Sequence, residues 1–405
     1  MITRRAFLGT GIAAAAPSSN LLVFMSDQES ALLPGPARLP NRQRLLSAGT
    51  EFTHAFCNTP QCSPARSSLL TGRQPHRTGV LTNVDGGSLG KPLPLEMANI
   101  GSLCEKHGYA TGYFGKWHLG NQDDGLAKYG FGYSLTSGSD EEIARQAAEW
   151  VRKQKGKYLC WVSILNPHHI YDISREIGSV KPRDGVRPPH SGLENLAGKP
   201  AEQRAFVDED QGRQTREFTP TDWIKYRSYY LELLEKADAC LGTVLDALDA
   251  ASTTVAYTSD HGDALGEHGL PYKGPFMYEE LVRIPFILAG GRFGGRKRQD
   301  LVTQCDLAPT LASVAGIPWP EGTDGRSLLR DTKGPDAVFL EYYAKQKWVN
   351  PIRTIRTRTH KLNLYDSGHR ELYVLASDPH ELRNMAGKLP IESRLAERLG
   401  DRHRP

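Results

Sequence analysis

The sequence predicts an α/β fold with a large, mainly parallel central sheet flanked by helices. Amphipathic helical patterns alternate with short apolar runs, which is typical of a parallel sheet. Reactive polar residues follow four of these runs, as in folds whose ligands bind at the carboxyl ends of parallel strands. The apolar runs, each with the length of a buried strand, are Leu21–Met25, Tyr109–Phe114, Tyr158–Leu165, Thr253–Tyr257 and Ile284–Ala289.

The clearest helix is predicted from about Pro220 to Leu248, where apolar residues recur every three or four positions. Thr219 is suited to the N-cap, Pro220 to the first turn, and Asp222 to a capping-box partner. The preceding interval, Arg175–Phe218, is polar, contains four prolines and has no periodicity. It predicts a long loop that covers the active site.

The C-terminal part of the chain has shorter elements. They predict a small subdomain with an antiparallel sheet, made of strands at Ala337–Glu341, Ile352–Thr357, Lys361–Tyr365 and Glu371–Val374 and a helix at Pro390–Leu399. We therefore expect an N-terminal signal over residues 1–19, a catalytic domain over 20–330 and the small subdomain over 331–405.

Composition excludes several classes of function. The chain has 405 residues with 39% hydrophobic and 24% charged residues, as is ordinary for a folded globular protein. A net charge of +4 gives no reason to expect a nucleic-acid partner. No apolar run long enough for a membrane span follows the N-terminus. Six cysteines are too few for a disulfide scaffold, so most are expected to be buried, reduced thiols.

The N-terminus predicts export. Arg4 and Arg5 precede an apolar run of small residues that ends at Ala16, which resembles a twin-arginine signal. A periplasmic or secreted location is therefore expected. Pro17 directly follows the alanines and disfavours cleavage there, so cleavage of the signal stays open.

The residues at four strand ends predict a metal site. Because these strands are expected to be parallel, their carboxyl ends meet at one edge of the sheet. The residues offer oxygen ligands, imidazoles and a lysine, which suits a divalent cation that holds an anionic substrate. They are Asp27 and Gln28, Lys116 and His118, His168 and His169, and Asp260 and His261.

A cysteine motif supplies a candidate nucleophile. In Cys62-Ser-Pro-Ala-Arg66-Ser-Ser-Leu-Leu-Thr-Gly72-Arg, Pro64 suits the start of a helix and Gly72 its end. Cys62 would lie at the helix N-terminus, where backbone N–H groups favour the thiolate. The alternative is a structural cysteine before a short helix.

This motif resembles the signature of the formylglycine-dependent sulfatases, in the alkaline phosphatase-like superfamily. Cys62, Pro64 and Arg66 match the Cys-x-Pro-x-Arg pattern that the formylglycine-generating enzyme reads. Further similar motifs follow in order over about residues 20 to 386: Gly115-Lys-Trp-His-Leu-Gly120, Thr258-Ser-Asp-His-Gly262 and Lys273-Gly-Pro-Phe-Met-Tyr-Glu-Glu280. The resemblance implies the alkaline phosphatase-like fold and sulfate ester hydrolysis.

The resemblance also implies a mechanism and a metal. Cys62 would be oxidised to formylglycine and hydrated to a diol, one hydroxyl attacking sulfur and the other expelling sulfate. Asp27, Gln28, Asp260 and His261, with an oxygen of modified Cys62, would hold the cation. Oxygen-rich coordination favours Ca²⁺. Many relatives have Asp in place of Gln28 and some have Asn in place of His261, and both differences favour Mn²⁺ or another transition ion.

Five further residues match the family's sulfate-binding and proton-transfer positions. Arg66 and Lys116 would orient the diol, and Lys273 would bind a sulfate oxygen. His118 suits the base, and His168 suits the acid that protonates the leaving alcohol. His168 is preferred to His169 because the family has His directly after Pro.

The predicted function is hydrolysis of a sulfate monoester on a small molecule or carbohydrate, with carbohydrate as the default for an exported enzyme. The first alternative is a phosphonate monoester or phosphodiester hydrolase of the same superfamily, supported by Asp27-Gln28. The second is a non-catalytic exported binding protein on a sulfatase fold. Two loop regions, Arg175–Phe218 and Tyr342–Pro351, are expected to set the substrate.

Overall fold

The computed structural model describes residues 20–85, 89–329, 334–345 and 348–400, with the side chain of residue 348 excepted. The predicted export signal over residues 1–19 lies outside the described residues. Among the described residues, no helix combines the length and the apolar character that crossing a membrane requires.

Eight strands form the central sheet. In chain order, β1 to β8 are Asn20–Asp27, Gly49–Phe56, Ala110–Gly115, Tyr133–Leu135, Tyr158–Pro167, Thr253–Ser259, Phe286–Ala289 and Arg296–Thr303. Their spatial order is β4-β3-β5-β1-β6-β7-β2-β8. β7 runs antiparallel to β6 and β2, whereas the other neighbouring pairs are parallel. The predicted α/β fold with a mainly parallel sheet is confirmed.

Eleven α-helices are present in the described part of the chain. In order, α1 to α11 are Pro40–Ala48, Cys62–Thr71, Pro75–Thr78, Ile100–Lys106, Asp140–Lys153, Ile173–Glu176, Ala201–Glu209, Pro220–Leu245, Glu279–Val282, Leu307–Ala315 and Ile391–Leu399.

Helices cover both faces of the central sheet. Along β1, Leu21 and Val23 pack into one hydrophobic cluster with residues of α2, α4 and α10. Leu22 and Phe24 point the other way and pack with residues of α1, α5 and α8. A strand buried on both faces has no polar side, which explains the continuous apolar run in the sequence.

The capping box predicted for α8 is present. The Thr219 hydroxyl accepts from the Asp222 amide at 3.2 Å, and the Asp222 carboxylate accepts from the Thr219 amide at 3.0 Å. The helix ends at Leu245, somewhat before the predicted Leu248, because the amides of Ala247 and Leu248 bond to the carbonyls of Val244 and Leu245, three residues back, instead of continuing the α-helical pattern.

The predicted long loop over 175–218 is only partly irregular. It contains α7 and 3-10 turns at Leu193–Gly198 and Gln211–Thr215. α7 was missed because it has nine residues and buries only Gln203, Phe206 and Val207, too few for a periodic pattern.

Three strands of the central sheet were also missed. β2 and β8 carry many polar residues, and β8 is an edge strand with an exposed N-terminal half. β4 has three residues. The strand predicted at Ile284–Ala289 begins at Phe286, because Pro285 lacks the N–H that a sheet ladder needs.

The second sheet is antiparallel, as predicted. β9 to β12 are Ala337–Lys345, Trp348–Thr357, His360–Tyr365 and Arg370–Val374, in the order β12-β11-β10-β9. The Glu341 amide donates to the Asn58 carbonyl at 2.8 Å, which ties β9 to the loop before α2. The expected boundary near residue 330 lies outside the described residues, so the domain division stays a prediction.

Candidate active site

The four strands that end in reactive residues are neighbours in the sheet. Their order is β3-β5-β1-β6 and every neighbouring pair is parallel, so their carboxyl ends share one edge. Gly115 ends β3 with φ 96°, and a Cβ atom there would collide with the Ser163 carbonyl of β5. Glycine therefore lets the chain turn at this point, where the Lys116 amide bonds to Ser163 O at 3.1 Å.

Helix α2 brings Cys62 to the same edge. The helix begins at Cys62 and every one of its residues is buried. Gly72 ends it in the left-handed conformation, with φ 64° and its amide bonded to Ser68 O at 2.9 Å, as the sequence predicts. Cys62 is thus in the first turn, where amides without helical partners stabilise negative charge.

Four buried side chains at this edge are close enough to share a cation. Ligand atoms of Asp27, Cys62, Asp260 and His261 lie within 4.8 Å of one another. Asp27 Oδ1 is buried and has no hydrogen-bond partner among the described residues. His261 Nδ1 donates to the Gly262 carbonyl at 2.9 Å, which leaves Nε2 directed at Cys62 Sγ, 3.3 Å away. A free carboxylate oxygen and an oriented imidazole nitrogen are the donors that a divalent cation needs.

Arg66 holds the two carboxylates in place. Its guanidinium donates to Asp27 Oδ2 at 2.8 Å and to Asp260 Oδ2 at 3.0 Å. It also donates to the Lys116 carbonyl at 2.6 Å and to the Ser163 hydroxyl at 2.8 Å. Burial and the neighbouring Asp27 raise the pKa of Asp260 above its ordinary value. The two carboxylates therefore still repel each other, and a divalent cation would relieve that repulsion.

Lys116 connects a carboxylate to the cysteine. Its ammonium lies 2.6 Å from Asp27 Oδ2 and 3.6 Å from Cys62 Sγ. Burial and Asp27 oppose ionisation of the Cys62 thiol, but Lys116, Lys273 and His261 outweigh them and lower its pKa well below the usual value. The surroundings of Cys62 therefore stabilise a negatively charged atom at this position.

Gln28 is held by a second set of residues. It has φ 74°, and its side-chain oxygen accepts from Lys273 Nζ at 2.6 Å. Its amide nitrogen donates to Asp263 Oδ2 at 2.7 Å, and Asp263 also accepts from the Tyr226 hydroxyl at 2.9 Å. Burial raises the pKa of Asp263 to about 6. Asp263 and Tyr226 were not among the predicted site residues; the position of Asp263 directly after the Asp260-His-Gly motif was the available signal.

A cavity of about 410 Å³ opens beside Cys62. Besides Cys62 it is lined by four other predicted site residues, namely Lys116, His118, His168 and Lys273. Sequence reasoning did not identify the rest of the wall, which includes Asn83, Asp85, Tyr171, Gln211, Tyr342 and Lys345. Gln211 lies in the predicted covering segment, and Tyr342 and Lys345 lie in the second region predicted as a substrate loop. That second prediction was wrong in its structure, because the described residues of the region belong to β9 and β10. A cavity of similar volume between Pro188 and Trp223 contains none of the predicted site residues.

The two predicted proton-transfer histidines, His118 and His168, line the cavity beside Cys62. His118 has φ 57° and its Nε2 lies 3.5 Å from Asp85 Oδ1. Burial, with Lys273 and Lys116, lowers the pKa of His168 well below its usual value, although Asp27 acts in the opposite direction. His169, the alternative to His168, is exposed and its Nδ1 pairs with Asn166 Oδ1 at 2.9 Å. His169 is not part of the cavity wall.

The cysteines carry free, buried thiols at all six positions, in agreement with the sequence-based expectation. Burial raises the pKa of Cys57, Cys160 and Cys305, in contrast to Cys62. Among these cysteines, Cys62 is therefore the one whose surroundings favour the ionised thiolate.

Two family models match the chain. The sulfatase model matches residues 19–317, and the model of the C-terminal part of N-sulphoglucosamine sulphohydrolase matches residues 266–403. The Delta 4,5-hexuronate-2-O-sulfatase of Bacteroides thetaiotaomicron is 27% identical over 386 residues, covering 87% of this chain and 80% of that relative. The extracellular sulfatase SULF-1 homolog of Drosophila melanogaster is 28% identical over 84% of this chain, which spans only 34% of that protein.

Solved structures have the same fold. A 2-O GAG sulfatase superposes with a TM-score of 0.81 at 24% identity, covering 94% of this chain and 90% of the other. The phosphonate monoester hydrolase of Agrobacterium radiobacter superposes with a TM-score of 0.78 at 22% identity, covering 94% of each chain.

Proposed function

The chain belongs to the sulfatase family and is a sulfuric ester hydrolase with the alkaline phosphatase-like fold, and we propose that it cleaves a carbohydrate sulfate monoester through a formylglycine derived from Cys62. The observation that carries this proposal is the position of Cys62. It is buried at the N-terminus of α2, in contact with Lys116 and His261 and beside two carboxylates. Membership of an enzyme family argues against a purely binding role.

The modification of Cys62 is proposed from its motif. Cys62, Pro64 and Arg66 match the pattern read by the formylglycine-generating enzyme, which would be a partner during maturation. Hydrated formylglycine supplies a hydroxyl nucleophile and a second hydroxyl on the same carbon, so that sulfate is released by elimination. The helix N-terminus and Lys116 would stabilise negative charge on the attacking oxygen.

A divalent cation fits the residues at the strand ends. We assign Asp27, Asp260 and His261 as its protein ligands, because the unpartnered Asp27 oxygen and the His261 Nε2 that faces Cys62 lie together in the buried cluster. Gln28 is added as a ligand from its motif at the end of β1; its side-chain oxygen accepts from Lys273 in the structure and would bind the cation as well. Such an ion supplies Lewis-acid activation of the sulfate group and neutralises the two carboxylates. Three oxygen ligands favour Ca²⁺, whereas the imidazole and the neutral amide favour Mn²⁺.

The side chains around the cavity have complementary roles in this proposal. Arg66 fixes the two carboxylates, and Lys273 binds a sulfate oxygen. His118 accepts the proton of the second hydroxyl. His168 donates a proton to the leaving alcohol; because its pKa is lowered without substrate, this role requires that the negative charge of the bound sulfate raises the pKa of His168. Both histidines line the cavity that contains Cys62, as this division of roles requires.

A carbohydrate substrate is supported by the cavity and by a relative. The wall offers tyrosine rings and polar side chains, which suit the apolar face and the hydroxyls of a sugar. The Bacteroides relative is a Delta 4,5-hexuronate-2-O-sulfatase. Action on a sulfated sugar is the corresponding proposal for this chain.

One observation favours a second function. The Asp27-Gln28 pair is the sequence feature that supports the phosphonate alternative, and the Agrobacterium neighbour with this fold is a phosphonate monoester hydrolase. Initial rates on a sulfated sugar, an aryl sulfate and a phosphonate monoester, measured with the same metal-loaded protein, separate the two. Higher kcat/KM on a sulfate ester is expected; higher kcat/KM on the phosphonate would replace the proposal with the alternative.

Export to the periplasm or the medium is proposed from the sequence alone. Arg4 and Arg5 precede an apolar run of small residues, as in twin-arginine signals. An exported enzyme would meet polymeric sulfated carbohydrates outside the cell.

A further inference from the structure

The wall of the cavity beside Cys62 carries a third lysine. Lys345 is the last residue of β9 and lines the cavity together with Lys116 and Lys273. Its ammonium lies 2.8 Å from Asp210 Oδ2 and donates to Gln211 Oε1 at 2.7 Å. Burial lowers the pKa of Lys345 to about 8, so the ammonium remains mostly protonated at neutral pH.

One tyrosine separates Lys345 from the predicted sulfate-binding lysine. Lys273 Nζ lies 5.3 Å from the centre of the Tyr171 ring. The Tyr171 hydroxyl lies 3.5 Å from Gln211 Oε1, the same oxygen that accepts from Lys345. Lys273, Tyr171, Gln211 and Lys345 thus form a continuous wall with one ammonium at each end. Tyr272 covers one face of the Tyr171 ring, with the ring centres 4.0 Å apart. A sugar ring that lies against this wall would place one substituent near each ammonium.

The charges of the cavity favour one orientation of a substrate with two anionic groups. On the other side of the cavity, Asp85 is an exposed carboxylate beside His118. It would repel a second anion at that position. Lys345 is paired with the Asp210 carboxylate and Gln211, and its ammonium also lies 4.5 Å from the centre of the Phe206 ring. An anionic group that reaches Lys345 would therefore share the ammonium with Asp210, in place of the weaker contact with the Phe206 ring.

We propose that Lys345 is a specificity-determining residue that binds a second anionic group of the substrate, either a carboxylate or a second sulfate on the same sugar. The proposal rests on the function proposed above and names its substrate class. Asp210 and Gln211 act as positioning residues that hold the ammonium at the cavity wall. A sugar whose only charge is the scissile sulfate leaves this ammonium without its ligand and binds more weakly.

Equilibrium binding tests this inference without requiring turnover. In the Cys62→Ala background with Ca²⁺ present, calorimetry compares two matched pairs of sugars. One pair is a 2-O-sulfated hexuronate and a 2-O-sulfated hexose; the other is an N,6-O-disulfated and a 6-O-monosulfated glucosamine. We expect the doubly anionic member of at least one pair to bind about tenfold more tightly, the scale of one charge-assisted hydrogen bond. The pair that shows the preference identifies carboxylate or sulfate as the second group.

Substitutions at the ion pair separate recognition from structure. Lys345→Gln should abolish the preference, and Lys345→Arg should keep it. Asp210→Asn removes the carboxylate that competes for the ammonium but keeps a side-chain oxygen that can accept from it, and Gln211 is unchanged, so the preference should be kept or increased. If Lys345→Gln fails to fold, the binding preference of Asp210→Asn still tests the role of Lys345.

Two results would overturn the inference: equal binding within both pairs, or loss of the preference in Asp210→Asn to the same extent as in Lys345→Gln. Hydrolysis by the wild-type chain is a separate test. A binding preference without turnover of any sulfate ester would refute only the proposed function, whereas turnover without a preference would refute only the role of Lys345.

Discussion

The ammonium of Lys116 lies 2.6 Å from Oδ2 of Asp27. The same ammonium is 3.6 Å from the sulfur of Cys62, so one lysine contacts both a predicted metal ligand and the predicted nucleophile. In a buried site such a cation holds charge in place before any substrate arrives, and it does not need to reorganise during the reaction. These two contacts explain why the motif that follows β3 contains a lysine at position 116.

Removal of the Lys116 ammonium should slow the chemical step. Lys116→Ala is expected to lower kcat by about 100-fold or more, the scale seen when one preorganised group is lost. Lys128→Ala is the matched control, because Lys128 is exposed and pairs with the exposed Asp124. Steady-state kinetics on an aryl sulfate measures both. An unchanged kcat in Lys116→Ala would show that the contact with residue 62 has no part in the reaction.

Loss of either carboxylate should weaken cation binding. Asp27→Asn and Asp260→Asn each remove one negative charge from the buried cluster, so elemental analysis should find less than one bound metal per chain at a metal concentration that saturates the wild type. Asp124→Asn, at an exposed carboxylate, provides the control. Chelation should abolish wild-type activity. Full activity in exhaustively chelated, metal-free protein would exclude the assigned cation site.

Adjacent histidines give a direct test of the proposed acid. His168 lines the cavity, whereas His169 is exposed and pairs with Asn166. His168→Ala should lower kcat by about 100-fold or more on an alkyl sulfate, whose poor leaving group needs protonation, and much less on an activated aryl sulfate. His169→Ala should leave both rates near wild type. Equal losses on the two substrates in His168→Ala would indicate a structural role instead.

Export should depend on the paired arginines. Replacing Arg4 and Arg5 with lysines keeps the charge but removes the residues that the twin-arginine pathway reads, so the protein should remain in the cytoplasm. Fractionation followed by immunoblotting measures the distribution. Periplasmic yield equal to that of the unaltered sequence would refute the interpretation of the N-terminus.

The central sheet was predictable where strands are buried on both faces. β1 and β6 have continuous apolar runs, and their polar endings identified Asp27 and Asp260. β2 and β8 were not predicted, because their polar residues are stabilised by contacts with residues distant in sequence. The hydroxyl of Thr50 in β2, for example, donates to Gly294 O. Local patterns carry little information about such contacts.

The reactive centre was easier to predict than the walls of its cavity. Cys62 and Arg66 belong to one short motif on α2, and Lys116 belongs to another directly after β3. Short motifs of this kind can be recognised in the sequence without knowledge of distant contacts. Lys345 and Gln211 come from segments more than a hundred residues apart and meet only through packing of β9 against the segment after α7. No short sequence motif predicts that contact. The sequence analysis placed both residues in regions expected to set the substrate, but only the structure shows that these two side chains meet.

The most direct test of the formylglycine mechanism is the stoichiometry of alcohol release by Cys62→Ser. The serine hydroxyl would occupy the same buried position at the α2 N-terminus and could attack sulfur once. Lacking a second hydroxyl on that carbon, it cannot eliminate sulfate. Rapid-quench assays should therefore count at most one equivalent of alcohol per chain, followed by a stall, and peptide mass should locate the sulfate on an otherwise unmodified residue 62. Sustained turnover near the wild-type rate by a chain whose peptide mass shows unmodified serine would contradict the mechanism, because water would then release the intermediate.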